Sequence, residues 1–260
     1  MTAWEKIEQR RLVFVNRYSR VFRKVLNKQI QPLLDSIDSS FITNYEQVIN
    51  TTITDAEILE PYVNLYQDVG ISFRDSLMIS MEKSGAKGYR TKSLEDDVWA
   101  QAMADYAEMV TLGRVEMMTD TTRNIILKMV RDSINDNIDS TLGVESFATK
   151  IRNSLIDKYG VVEKWRARRI AQTEVLTASN YSSFKAAEET GIPMKKRWLT
   201  APFGVAKNER HNLAFGLTEQ RPAIKDPFYV DGTTMQHPGD LAGGAHNTIN
   251  CRCAIGYEQY

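Results

Sequence analysis

Cysteine is nearly absent from this chain: Cys251 and Cys253 are the only two in 260 residues. Two thiols one residue apart cannot build a disulfide scaffold, so the fold must rest on a buried core. No apolar run approaches the ~18 residues that cross a bilayer, which excludes a membrane-spanning helix. The start, "MTAWEKIEQRR", puts charges where a secretory signal would carry its apolar segment, and assembly in a reducing cytoplasm is expected. Glycine-rich phosphate loops, H-E-x-x-H and G-x-S-x-G are all missing, so the enzyme classes read from those motifs are not indicated. Lysine and arginine are missing from residues 29–73 altogether.

Net charge is zero, with 33 basic and 33 acidic residues. The charges are nevertheless sorted. Residues 1–28 hold Lys6, Arg10, Arg11, Arg17, Arg20, Arg23, Lys24 and Lys28 against Glu5 and Glu8, and an acidic stretch follows. Such an arm suits either nucleic-acid phosphates or an acidic protein surface; a solvated helix face is the plainer alternative.

Trp4, Ile7, Phe14, Tyr18, Val21 and Val25 follow helical spacing, interrupted by Arg11, and predict a long helix that ends or kinks near Pro32. Its seam calls for a partner helix, so the arm is expected to mediate assembly, and its deletion to leave the C-terminal module folded. A second helix is expected from Asp55 to Met81, and a linker at "KSGAKGYRTKS", residues 83–93. Trp99, Met103, Tyr106, Val110 and Met117 share one stripe, continued by Ile125, Ile126, Met129 and Val130. Helices then restart after Gly143 and again at "GVVEKW", the last closed by Gly191 and Pro193. From Met194 the texture changes: all three histidines and both cysteines lie there, with "KKRWLT", "DPFYVDG" and "INCRCAIGY" reading as short strands. The fold class is α+β, mainly α: an N-terminal helical region (1–88) and a second part (89–260) ending in a small α+β module.

Glu174 falls on the apolar face of Ala167, Ile170, Ala171, Ala178 and Tyr181. An unpaired carboxylate there would cost several kcal/mol, so it needs an arginine or N–H donors. Arg210 is the candidate partner, with Arg166, Thr173 and Asn180 on the neighbouring face completing a structural clamp. In a strand, Cys251 and Cys253 share a face, with Arg252 opposite. They form either two packed thiols or, with two of His211, His237 and His246, a zinc site. His211 with Glu209 also offers a rival, metal-dependent nucleic-acid chemistry.

In order, "GVESFATKI", "RARRIAQTE" with Asn180 after it, "KKRWLT", "NERHNLAFG", "DPF", "HPGD" and "INCRC" resemble the phage Mu F-like minor head protein, or head-morphogenesis, family over residues 120–257. The resemblance implies a non-enzymatic virion protein in several copies per head, associated with the portal protein and inner capsid. It would act in head morphogenesis and in packaging or delivery of phage DNA.

Overall fold

The recurring apolar positions of residues 3–35 meet no glycine, and they form one helix, α1 (Ala3–Asp35), with Pro32 inside its last turn. A proline there removes a single hydrogen bond, and the helix ends three residues later. The computed structural model describes residues 1–85, 95–136, 144–202, 211 and 216–259. Most of the expected linker, and Glu209 and Arg210, lie outside the described residues.

Helix α2 (Phe41–Thr52) follows, a segment whose apolar pattern is too short to announce itself. Helix α3 (Leu59–Lys83) begins four residues later than Asp55, with Pro61 in its first turn, where its missing N–H costs nothing. Helix α4 (Asp96–Asn135) buries Trp99, Met103, Tyr106 and Val110, whereas Met117 is 55% exposed. The expected stripe therefore fails at Met117, not because the helix drifts but because α4 leaves one compact unit after Met109 and enters another at Val110, and the face it buries changes with its surroundings. Helix α5 (Val144–Glu189) corrects another expectation, since it runs unbroken through Gly160 for 46 residues. A glycine costs only ~1 kcal/mol in a helix interior, less than the neighbouring residues gain by burial: Leu155 and Tyr159 are both fully enclosed. Gly191, at φ +66°, ends it as the C-terminal signal predicts.

Two compact units emerge, interleaved along the chain rather than divided near residue 88. The first unit contains Met1–Tyr18, Val63–Met109 and Arg169–Tyr260; the second contains Ser19–Tyr62 and Val110–Arg168. In the second, Leu33, Phe41, Ile49, Ile126, Val130, Ile151 and Tyr159 form the core. Its buried Arg166 donates to the Met118 carbonyl at 3.2 Å and to Thr122 at 3.1 Å. Burial lowers the pKa of that guanidinium while Tyr159 opposes the shift. Arg166 thus serves the second unit and is not part of a clamp around Glu174.

The first unit carries the strands. Strand β1 (Met194–Leu199) pairs antiparallel with β4 (Ala254–Gln259), Leu199 opposite Ala254. Strands β2 (Phe228–Val230) and β3 (Thr233–Met235) form a hairpin. Its turn, Asp231-Gly232, takes φ of 44° and 79°, the geometry that favours Asp-Gly between strands of normal twist. A 3₁₀ turn (Leu241–Gly243) and a short helix, α6 (Gly244–Thr248), lead into the last strand. Trp198, Leu217, Phe228, Val230, Met235 and Ile255 close a core that includes both cysteines.

Lys196 is fully buried on β1. Its Nζ donates to the Gln236 carbonyl at 3.0 Å and Oε1 at 2.7 Å, and it lies 4.9 Å from the Phe184 ring centroid and 5.3 Å from that of Phe228. Burial pushes its pKa from 10.5 down to about 8, against Asp226, Asp240 and Glu188, which push it up. Between those two values the unfolded chain holds the proton that the folded chain has released, so stability rises with pH across that window. Relative to Lys196→Met, the wild type is expected to gain on the order of 1 kcal/mol there after allowance for solvent screening. Denaturant titrations of both proteins at pH 7, 8.5 and 10 check this; parallel pH profiles would refute it.

Candidate metal centre and its lock

The segment "INCRC" is set by Asn250, whose φ of +60° turns the chain out of α6. Asparagine tolerates that left-handed conformation better than most residues. Cys251 N–H then donates to the Thr248 carbonyl at 3.3 Å. Cys251 and Cys253 both point into the core at 1% exposure, while Arg252 turns the other way to an ion pair with Glu8 of α1. This is the alternation the sequence predicts, although residues 251–253 precede the paired strand.

His211 meets the two sulfurs. Its Nδ1 is 3.5 Å from Cys251 Sγ and 3.8 Å from Cys253 Sγ, and its Nε2 is 3.2 Å from Asn247 Oδ1. The Trp198 ring stands edge-on, 5.6 Å between centroids. The donor atoms of His211, Cys251 and Cys253 lie within 4.8 Å of one another, and all three residues are buried. One nitrogen and two sulfurs so close together can hold a metal ion. Hydrogen bonding from Cys251 pulls the Cys253 thiol well below its ordinary value, and the same bond, then burial, lifts Cys251.

The other histidines stand apart. His246 is half exposed, 3.6 Å from Asp231, so it is corrected out of the ligand set. His237 is buried against Tyr181 and Phe184, its Nδ1 3.1 Å from the Pro238 carbonyl. His246→Ala is accordingly expected to leave metal affinity unchanged, whereas His211→Ala lowers it. Equilibrium dialysis of both variants distinguishes them.

Behind the cluster sits a lock centred on Asn180. Its Oδ1 accepts from Arg11 Nη2 at 2.6 Å and from the Ile255 N–H at 3.1 Å, while Nδ2 donates to the carbonyls of Pro238 at 2.9 Å and Cys253 at 3.2 Å. Both lone pairs and both protons of the amide are used. Arg11 adds bonds to Ser179 Oγ at 2.8 Å and to the Cys253 carbonyl at 3.0 Å. The "HPGD" loop fits against α5 because Gly239, at φ +84°, has no side chain: a Cβ would stand 2.8 Å from Leu176 and 3.2 Å from the Thr177 backbone. Asp240 then takes the N–H groups of Gln236 at 2.7 Å and Ala242 at 3.1 Å.

Of the expected clamp, Asn180 is at the centre of this lock. Glu174, buried as expected, accepts from Tyr66 Oη of α3 at 2.9 Å, and Thr173 is buried one turn before Thr177. The residue the sequence reading misplaced is Arg11. Grouped with the basic arm, it is 2% exposed, and burial pushes its pKa down to about 10 against the pull of Glu8. Its interruption of the α1 seam was the available signal, because a charge in mid-stripe points inward. Trp4 Nε1 also donates to the Arg252 carbonyl at 2.8 Å. The first eighteen residues are thus part of the unit that contains the C-terminal strands, and deleting 1–28 would strip bonds from that module rather than leave it intact. Among the other arm residues, Arg10 donates to the Ser72 carbonyl at 2.9 Å, and Arg17, Arg23 and Lys28 pair with Asp68, Glu163 and Glu57; Arg20 and Lys24 are exposed. Among the described residues no helix is long and apolar enough to cross a membrane. Comparison with family models, with curated proteins and with solved structures finds no match to this chain.

Proposed function

We propose that this chain is a minor head protein of a tailed bacteriophage that joins the portal and inner capsid and assists head morphogenesis, DNA packaging or DNA delivery. One observation carries the reading. The sequence elements behind the resemblance are far apart in the chain, yet Asn180 bonds directly to both the "HPGD" loop and "INCRC". Motifs that build one shared lock are what a structural module requires. In this reading the ion at His211, Cys251 and Cys253 is zinc, in a buried structural site whose N and S donors suit it. Catalysis by His211 with Glu209 is disfavoured by the enclosure of the imidazole at 2% exposure.

Affinity capture of the tagged full chain with the portal protein of the same phage tests the proposal, alongside incubation with plasmid and single-stranded DNA plus Mg²⁺, Mn²⁺ or Zn²⁺. Stable portal association without cleavage is expected. Cleavage abolished by His211→Ala, with no portal association, would overturn it.

A further inference from the structure

Histidine can offer a metal only the nitrogen that lacks a proton, so whatever holds the other nitrogen decides whether the cluster can work. Here that partner is Asn247. It is fully buried on α6, its Oδ1 3.2 Å from His211 Nε2, and its Nδ2 has no hydrogen-bond partner among the described residues. An amide left with an idle buried N–H₂ gains its place through the oxygen it presents. Presented to Nε2, that oxygen selects the tautomer protonated at Nε2.

We propose that Asn247 is the positioning residue of the zinc centre: it holds the Nε2 proton of His211, leaving the Nδ1 lone pair facing Cys251 and Cys253 as the third ligand. This rests on the reading of the cluster as a zinc site. The geometry agrees at both ends of the ring, since Nδ1 is the atom nearest both sulfurs, at 3.5 and 3.8 Å. The opposite tautomer would place an N–H toward the sulfurs, as in a thiolate–imidazole hydrogen bond, and would leave the Asn247 oxygen facing a lone pair. On loading, the Cys251 and Cys253 thiol protons leave to solvent, and two thiolates and a neutral imidazole supply three of the four donors zinc takes. The Asn247 oxygen raises the basicity of the ring nitrogen that binds, as outer-shell acceptors do.

The test uses the metal-stripped full chain, titrated with Co²⁺ and followed by its thiolate-to-cobalt absorption, with Zn²⁺ competition for affinity. Asn247→Leu, which cannot accept, is expected to bind roughly 10–100-fold more weakly than wild type. Asn247→Asp, which can only accept, is expected to bind at least as tightly. A role in packing alone would weaken both. Long-range ¹⁵N–¹H correlation on the zinc-loaded wild type, which needs no variant to fold, is expected to show the His211 proton on Nε2. A proton on Nδ1, or Asn247→Leu affinity equal to wild type, overturns the assignment of Asn247 while leaving zinc in place. No uptake of either metal by wild type would overturn the zinc reading itself.

Discussion

Replacing Arg11 with alanine is expected to destabilise the first unit by about 3–5 kcal/mol, because three hydrogen bonds from a charged donor, each worth roughly 1.5–3 kcal/mol, are lost with the packing of the buried stem, partly offset by no longer burying the charge. Three acceptors lose a donor at once: Asn180 Oδ1, Ser179 Oγ and the Cys253 carbonyl. Glu8, opposite the lost guanidinium, keeps its pair with Arg252. Arg11→Lys should recover little, because an ammonium cannot span three acceptors that a planar fork reaches together. Arg11→Met should be milder than alanine, since it fills the space and removes the cost of burying a charge. Urea unfolding of the three variants checks the order; wild-type stability for Arg11→Ala would be inconsistent with a buried lock.

Chelation has the second large effect. If zinc occupies the cluster, a thousandfold excess over its dissociation constant adds about 4 kcal/mol to folding by mass action. Stripping it should lower the melting temperature of the full chain by that stabilisation, and Cys251→Ala/Cys253→Ala, which loses thiol packing as well, should melt below the stripped wild type and not respond to zinc. Two merely packed thiols would cost only about 1–3 kcal/mol when shortened, with no response to chelator. Calorimetry with and without added zinc separates these outcomes.

The helices and the change of texture at Met194 are legible because periodicity and turn residues act locally. Glu174 is legible too, as a charge at the centre of an apolar face, and the same rule marks Arg11 as a charge that points inward. Neighbouring basic residues nevertheless give Arg11 the look of one more member of a charged arm. Long-range partners carry no such local mark. Nothing in "NTINC" says that Asn247 meets His211, or in "SNY" that Asn180 bonds residues 238, 253 and 255. The break expected at Gly160 failed for a related reason: glycine signals a local preference of about 1 kcal/mol, and burial on either side exceeds it. His246 looked like a ligand by proximity in sequence to Cys251, but α6 and the turn at Asn250 carry it to the surface beside Asp231.

The Asn180 amide joins Arg11 of α1 to the C-terminal strand at Ile255, and a double-mutant cycle on Arg11→Met and Asn180→Leu measures that tie directly. Denaturant unfolding of both single variants, the double variant and wild type should give a coupling energy of about 2 kcal/mol or more, the double variant being far less destabilised than the sum of the singles. Additive effects, with coupling near zero, would contradict the lock and the joining of the two ends of the chain that follows from it.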